Sequence, residues 1–299
     1  KSPFIDPGNP LGPLSVKVTG SDLGSGFDAQ LSHRYSGLPF PGLDPYDDGS
    51  LVFPTMDVTS TMDDFFIFVL DKNGIPRYKF LKDVEPGALE YSLDDFSEFD
   101  HVVEVSFPSS VSTFMTVRGY EGEVIPSQGF YTNYSMSGFI LSKPQPFYNI
   151  GYLNDFSKYS TQINVGYPGY ALSFDAIGAA PTSIELTGSF TATVANKSFH
   201  DYAVSSVDYE WRQSSWHYAG KHEEKDVAIG WNVAASAEYF KNPSTLPQAI
   251  LKKYPLLDVN FQYQNTTFYK GDRTFEDVVN QRFKGSAVKD YTLHSKTVF

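Results

Sequence analysis

The side chains best suited to chemistry gather in one stretch. Trp211, Trp216 and Trp231 are the only tryptophans of the chain, and His217, Tyr218, His222 and Glu223 lie among them. Indole and phenol rings offer flat apolar faces that stack on sugar rings or on the aromatic side chains of a partner. Imidazole and carboxylate groups ligate zinc, and His217, His222 and Glu223 come loosely within zinc spacings. No third ligand stands at a fixed offset from the two histidines, so the plain reading of residues 220–226 (GKHEEKD) is an exposed, charged hairpin loop.

Other arrangements carry less. Asp44, Asp47 and Asp48 before Gly49 offer oxygen ligands to calcium, but not at the alternating positions of a calcium-binding loop, and a solvated turn accounts for them. Ser286 and Lys289 match a Ser-x-x-Lys pattern, yet the serine follows a helical segment rather than opening one. Nucleophile-elbow, Walker, dinucleotide-binding and His-Glu-x-x-His motifs are all missing, so neither a cofactor nor a catalytic residue is indicated. The paired carboxylates of a glycoside hydrolase can lie anywhere in a chain, and 35 acidic residues single out no pair. That enzyme class therefore stays as an alternative. The sequons at Asn133, Asn196 and Asn265 bear on glycosylation only in a secreted eukaryotic protein.

Composition narrows the classes further. With 299 residues, 41% of them hydrophobic and 19% charged, the chain can bury a substantial core. Its net charge is −12 with only 23 Lys and Arg, and no basic cluster is visible, which argues against nucleic acid as a partner. The lack of cysteine excludes a disulfide framework and thiolate chemistry. No apolar run approaches the roughly 20 residues that span a bilayer. The chain starts Lys1-Ser2-Pro3, which reads as a processed or trimmed product.

The elements that must position these side chains are mostly strands. Residues 1–13 are rich in proline and glycine and read as a tether. Short apolar runs punctuated by turn residues then follow one another, among them 14–18, 65–70, 77–81, 102–107 and 113–117. Asn73-Gly74 predicts a two-residue hairpin turn between the second and third of these. Further on, Val207, Tyr209 and Trp211 share one parity, as do Ile229, Trp231 and Val233. Read as straight strands, these put Trp211 and Trp231 in the core and leave Trp216 and Tyr218 exposed as a ligand-stacking pair. Helices are expected near 245–254, stopped by Pro255, and near 275–284, opened by Thr274 with Asp277 in a capping box. The glycines and proline of 119–128 suggest a domain boundary. The expected architecture is mainly β, with tandem β-sandwich-like domains over 14–122 and 123–299, the second carrying the two late helices.

Asp63-Asp64-Phe65, Leu70-Asp71-Lys72-Asn73-Gly74 and Lys79-Phe80 together resemble a hairpin common in surface lipoproteins of Bacteroidota. There an acidic lead-in, an aromatic strand and an Asn-Gly turn begin one half of an immunoglobulin- or transthyretin-like sandwich. The proline-rich start resembles the tether that follows a lipidated cysteine, which implies a lipid anchor upstream of Lys1. The resemblance implies a place at the cell surface or in the periplasm and a role in adhesion, assembly or glycan handling. A non-catalytic binding or structural protein with a glycan or protein partner is the resulting expectation; a carbohydrate-binding module stacking sugar on Trp216 and Tyr218 is the alternative.

Overall fold

A strand that alternates apolar and polar residues buries one face, whereas a run that is apolar at every position needs cover on both. Both kinds occur in this chain, and they sort it into layers. The structure is a computed structural model and describes residues 8–24, 29–35, 39–43, 49–106, 112–125, 128–136, 147–186, 192–199, 201–205, 208–222, 224–238, 248–257, 259–284 and 289–299. The chain is mainly β, with several antiparallel sheets and two late helices. It forms two compact units, Lys1–Val165 with Asp175–Glu185 and Gly166–Phe174 with Leu186–Phe299.

The first unit holds β1 (Pro10–Thr19), β2 (Ala29–His33), β3 (Phe40–Pro41), β4 (Ser50–Val52), β5 (Met56–Thr59), β6 (Phe65–Leu70) and β7 (Pro76–Leu81). It continues with β8 (Gly87–Ser92), β9 (Ser97–Glu98), β10 (His101–Ser106), β11 (Ser112–Tyr120), β12 (Phe130–Met136) and β13 (Phe147–Tyr152). The division between the units runs through β14 (Lys158–Tyr167) and β15 (Tyr170–Gly178).

In one sheet, β4 and β5 pair antiparallel with successive parts of β1, and β8 runs parallel to β1 along Leu14–Thr19. A second sheet has the order β3-β2-β6-β7-β9. Leu14, Val16 and Val18 of β1 share a core with Phe65, Ile67 and Val69 of β6, which makes the two sheets a sandwich. The remaining phase of β6 faces the other way. Phe66 meets the rings of Phe80, Phe99, Phe130 and Phe156 at centroid distances of 4.8–6.4 Å. Every residue of β6 is therefore buried, as its unbroken apolar sequence requires.

That second face explains where the unit ends. A boundary near 119–128 would strip Phe130 and Phe156 from Phe66 and Phe80. It would also break the bond from the Tyr131 N–H to Ser32 Oγ, 3.2 Å. The compact unit runs on to Val165 instead. Glycine and proline mark turns, and a turn becomes a boundary only where few side chains cross it.

The second unit holds β16 (Thr193–Asn196), β17 (Ala203–Ser205), β18 (Trp211–His222), β19 (Lys225–Ser236), α1 (Gln248–Lys253), β20 (Gln262–Gly271), α2 (Phe275–Lys284) and β21 (Tyr291–Val298). Its sheet has the order β15-β21-β20-β18-β19, and β16 pairs with β17 separately. The α2 helix opens as its sequence predicts. The Thr274 N–H donates to Asp277 Oδ2 at 3.1 Å, and the Asp277 N–H donates to Thr274 Oγ1 at 3.2 Å. The Thr274 hydroxyl, which donates to Asp277 Oδ2 at 2.8 Å, then the Thr274 N–H and Lys289 hold the Asp277 carboxyl below its usual range. The α1 helix ends at Lys253, two residues before Pro255. Among the described residues no helix is long and apolar enough to cross a membrane.

Candidate functional site: the hairpin of β18 and β19

The tryptophan-rich stretch forms a long antiparallel hairpin. Its register runs without a shift from Trp211 opposite Ser236 to His222 opposite Lys225, and it sets Trp216 directly across from Trp231. These two tryptophans therefore share a face, together with Tyr218, Ile229 and Val233, and they pack on the core of the second unit.

Trp216 is buried, with 1% of its surface exposed. This corrects the expectation that it stands exposed to stack on a ligand. Its ring meets Tyr202 edge-on at 5.0 Å and Phe199 edge-on at 5.4 Å, and its indole N–H donates to the Lys197 carbonyl at 3.2 Å. Trp211 does point to the opposite face, where it stacks flat on Tyr269 at 3.7 Å and donates its N–H to the Arg273 carbonyl. The odd separation of Trp211 and Trp216 correctly separates their faces. Trp211 is buried as expected, at 4% exposed; what fails is the exposure of Trp216, because Ala203–Trp211 is not one strand. β17 ends at Ser205 and β18 begins only at Trp211, so the parity of Tyr209 does not carry across.

A bulge completes the arrangement. Opposite β18, the register of β20 shifts between Ser215 and Trp216, leaving Gln264 as the extra residue. The shift reverses the phase of β20, so that Thr266 and Phe268 on one side of it and Phe261 and Tyr263 on the other all face the same core. Behind Trp216 three hydroxyls satisfy one another: Tyr202 Oη lies 2.7 Å from Ser214 Oγ and 2.8 Å from Thr266 Oγ1. Ser214 and Thr266 are both buried, so this cluster is internal structure and not an accessible nucleophile. Burial likewise raises the Tyr263 phenol to about 12.

Tyr218 is half-buried against the same core. Its ring also lies along its own strand over Gly220, where any Cβ would overlap the phenol. Without Trp216 beside it in solvent, the expected stacking pair does not assemble. His217 is half-exposed on the opposite face, across from Gly230. His222 joins the hairpin at its last pair, with Lys225, and Glu223 lies outside the described residues. Among the described residues no group of three or more His, Asp or Glu side chains can hold a metal ion. Asp44, Asp47, Asp48, Gly285 and Ser286 also lie outside the described residues. Of the three sequons, Asn133 is buried and donates its amide to the Asn149 carbonyl, 2.8 Å.

The face left toward solvent is one that the tryptophans drew attention away from. Gln213, Ser215 and His217 of β18 stand across from Ala234, Asn232 and Gly230 of β19, and Asn265 of β20 stands across from Ser215. Ser215 Oγ donates to Asn232 Oδ1 at 2.6 Å. The side chains of Gln213, Ser215, Asn232 and Asn265 are uncharged hydrogen-bonders set among small residues, and they can meet hydroxyls or amides without the cost of desolvating a charge. The alternation of the hairpin sequence contained this signal. The chain matches no protein-family model, no curated protein and no solved structure with which it was compared.

Proposed function

We propose that the protein is a non-catalytic binding or structural protein of the cell envelope, acting outside the cytoplasm, and that its contact surface is the outer face of the β18–β19 hairpin. One observation carries the choice of surface. The hairpin is anchored through Trp216 to an aromatic core on one side, and on the other it presents the hydrogen-bonding side chains of Gln213, Ser215 and His217, each half-buried, and of Asn232, exposed. Polar groups held by a packed strand are preorganised, so less entropy is lost when a partner binds them. Glycans suit such a face, because their hydroxyls need neutral donors and acceptors at fixed spacing. The extracytoplasmic setting is supported by the lipoprotein-like hairpin at 63–80; the expected tether over residues 1–13 gives no such support, because Pro10, Gly12 and Pro13 already pair with β5 as the opening of β1.

The test is cosedimentation of the chain with a panel of insoluble envelope polysaccharides. Binding should weaken roughly tenfold in Gln213→Ala/Asn232→Ala, the loss of two neutral hydrogen bonds of about 0.5–1.5 kcal/mol each. Unchanged binding in that variant removes the face from the reading. Release of soluble sugar from any polysaccharide defeats the non-catalytic assignment.

A further inference from the structure

The polar groups of the outer face line up across the strands as well as along them. Asn232 of β19, Ser215 of β18 and Asn265 of β20 stand opposite one another, one on each of three neighbouring strands. Two residues away on β18, Gln213 stands opposite Thr267 of β20, which in turn stands opposite Thr297 of β21. Side chains two residues apart on a strand share a face, so both rows lie on the side away from Trp216. Asn232 is exposed and the other five are half-buried. None of the six carries a charge. Bonds within the rows hold them in place: Ser215 Oγ donates to Asn232 Oδ1 at 2.6 Å, and the Thr267 and Thr297 hydroxyls lie 2.9 Å apart. The first of these bonds does not use the Asn232 Nδ2 donors.

We propose that this face binds an extended, uncharged polysaccharide chain that crosses the strands instead of following the hairpin. The proposal rests on the reading of the outer face as the contact surface, and it names the ligand and its direction. Spacing sets the direction. Neighbouring strands lie about 4.8 Å apart, close to the length of one sugar in an extended β-linked chain, so each sugar crossing the sheet meets one polar side chain. Along a single strand the side chains of one face recur only about every 6.8 Å, which falls out of step with such a chain within a few sugars. Charge sets the class. The protein carries a net charge of −12, so a uronic-acid or sulfated polysaccharide is repelled and meets no cation in either row. On the same face Lys221 stands across from Asp226 at the hairpin tip, about 20 Å from Ser215 along β18. Uncharged hydroxyls exchange water for amides and hydroxyls here, and no charge has to be desolvated.

A chain that crosses three strands fills a row with about three or four sugars, so affinity should rise with length up to roughly four sugars and then level off. It should also change by less than about twofold as ionic strength rises from about 10 mM to about 150 mM and the screening length falls from roughly 30 Å to roughly 8 Å. A charged ligand would show a steep dependence.

Calorimetric titration of the full chain with cello-, xylo- and N-acetylchito-oligosaccharides, from the disaccharide to the hexasaccharide, and with oligogalacturonate tests the proposal. At least one uncharged series is expected to bind, and oligogalacturonate is not. Asn265→Ala/Thr267→Ala, which changes β20 alone, should weaken binding roughly tenfold, as much as Gln213→Ala/Asn232→Ala does. Tryptophan fluorescence should show the second unit still folded in both variants. Binding weakened by the Gln213 and Asn232 changes but not by those at Asn265 and Thr267 means that the ligand follows the hairpin; the crossing chain is then wrong and the proposed function stands. Preferred binding of oligogalacturonate, or no binding of any uncharged series, also overturns the proposal, and the polysaccharide cosedimentation then decides the proposed function separately. Uncharged oligosaccharides that bind equally well to wild type and both variants sink the two readings together.

Discussion

The hairpins β6–β7 and β18–β19 are both antiparallel and rich in apolar residues, and they are built for different surroundings. β6 lies between β2 and β7, and both of its faces are covered: Phe65, Ile67 and Val69 by the sandwich core, Phe66 and Phe68 by rings that include Phe99. Among the described residues β19 pairs with β18 alone, and its row of Asp226, Ala228, Gly230 and Asn232 is exposed. Their turns differ as well. At the β6–β7 turn the Asp71 carboxylate accepts the N–H groups of Asn73 (2.8 Å) and Ile75 (2.9 Å), and Gly74 takes the left-handed conformation at φ 76°. At the β18–β19 turn Glu224 is forced into that conformation at φ 66°. One hairpin has a turn that its sequence suits, and the other spends stability at its tip and has, among the described residues, a partner on one side alone. That is the pattern expected of a scaffold element beside an interaction element.

The largest test of this contrast is to truncate both phases of each hairpin. Phe65→Ala and Phe66→Ala should each cost about 3–5 kcal/mol, because each empties a packed face. At the middle of β18 only one phase should respond: Trp216→Ala about 3–5 kcal/mol, Ser215→Ala within about 0.5 kcal/mol. All three tryptophans belong to the second unit, so urea unfolding read by their fluorescence reports on that unit, and hydrogen exchange of β6 amides reports on the first. An equal cost for Ser215→Ala and Trp216→Ala would mean that the outer face of β18 is packed, and the contrast would be lost.

What the sequence revealed about this contrast depended on range. The unbroken apolar run 65–70, the Thr274–Asp277 capping box and the stop at Pro255 depend on residues a few positions apart, and all appear in the fold. The Asn73-Gly74 turn also forms, with Gly74 as the left-handed third residue of a three-residue loop instead of the second of two. The burial of Trp216 depends on two non-local events, the break between β17 and β18 and the bulge at Gln264, and parity counted along the chain cannot detect either. The extent of the first unit was hidden for the same reason, since Phe66 and Phe156 meet across ninety positions of sequence. The tryptophan cluster lies in one hairpin, with Trp216 on its buried face.

A second test sharpens the contrast through pH. His33 of β2 lies edge-on to Phe65 and accepts the Tyr35 N–H at Nδ1, 3.1 Å, which requires its neutral form. Burial, with the charge of Arg118 adding to it, lowers this histidine to about 4 from its usual 6.5. Between those values the unfolded chain takes up a proton that the folded chain refuses. The contribution of His33 is thus complete above about pH 6.5 and is lost as pH falls toward 4, by at most roughly 3 kcal/mol. Protection of β6 amides, corrected for intrinsic exchange, should fall from about pH 7 to about pH 4.5, and His33→Gln should flatten that fall. Loss of β18 protection in parallel would show the two hairpins opening together.

The smallest effect bears most directly on the turns. Gly74 and Glu224 occupy the same region of backbone space, one with the residue that suits it and one without. Gly74→Ala should destabilise the β6–β7 hairpin by about 1 kcal/mol, because a Cβ is strained at that φ. Glu224→Gly should do the opposite and stabilise the β18–β19 tip by about 0.5–1 kcal/mol, the relief of strain outweighing the extra freedom gained by the unfolded chain. Exchange of the amides near His222 and Lys225 should slow a few-fold in Glu224→Gly while those of β6 keep their rates. The sign carries the argument: a gain shows that the tip holds strain its local sequence does not require, which fits a turn shaped by something other than stability. A loss would show that the Glu224 side chain holds the turn, and both hairpins would then be fixed by their own sequences.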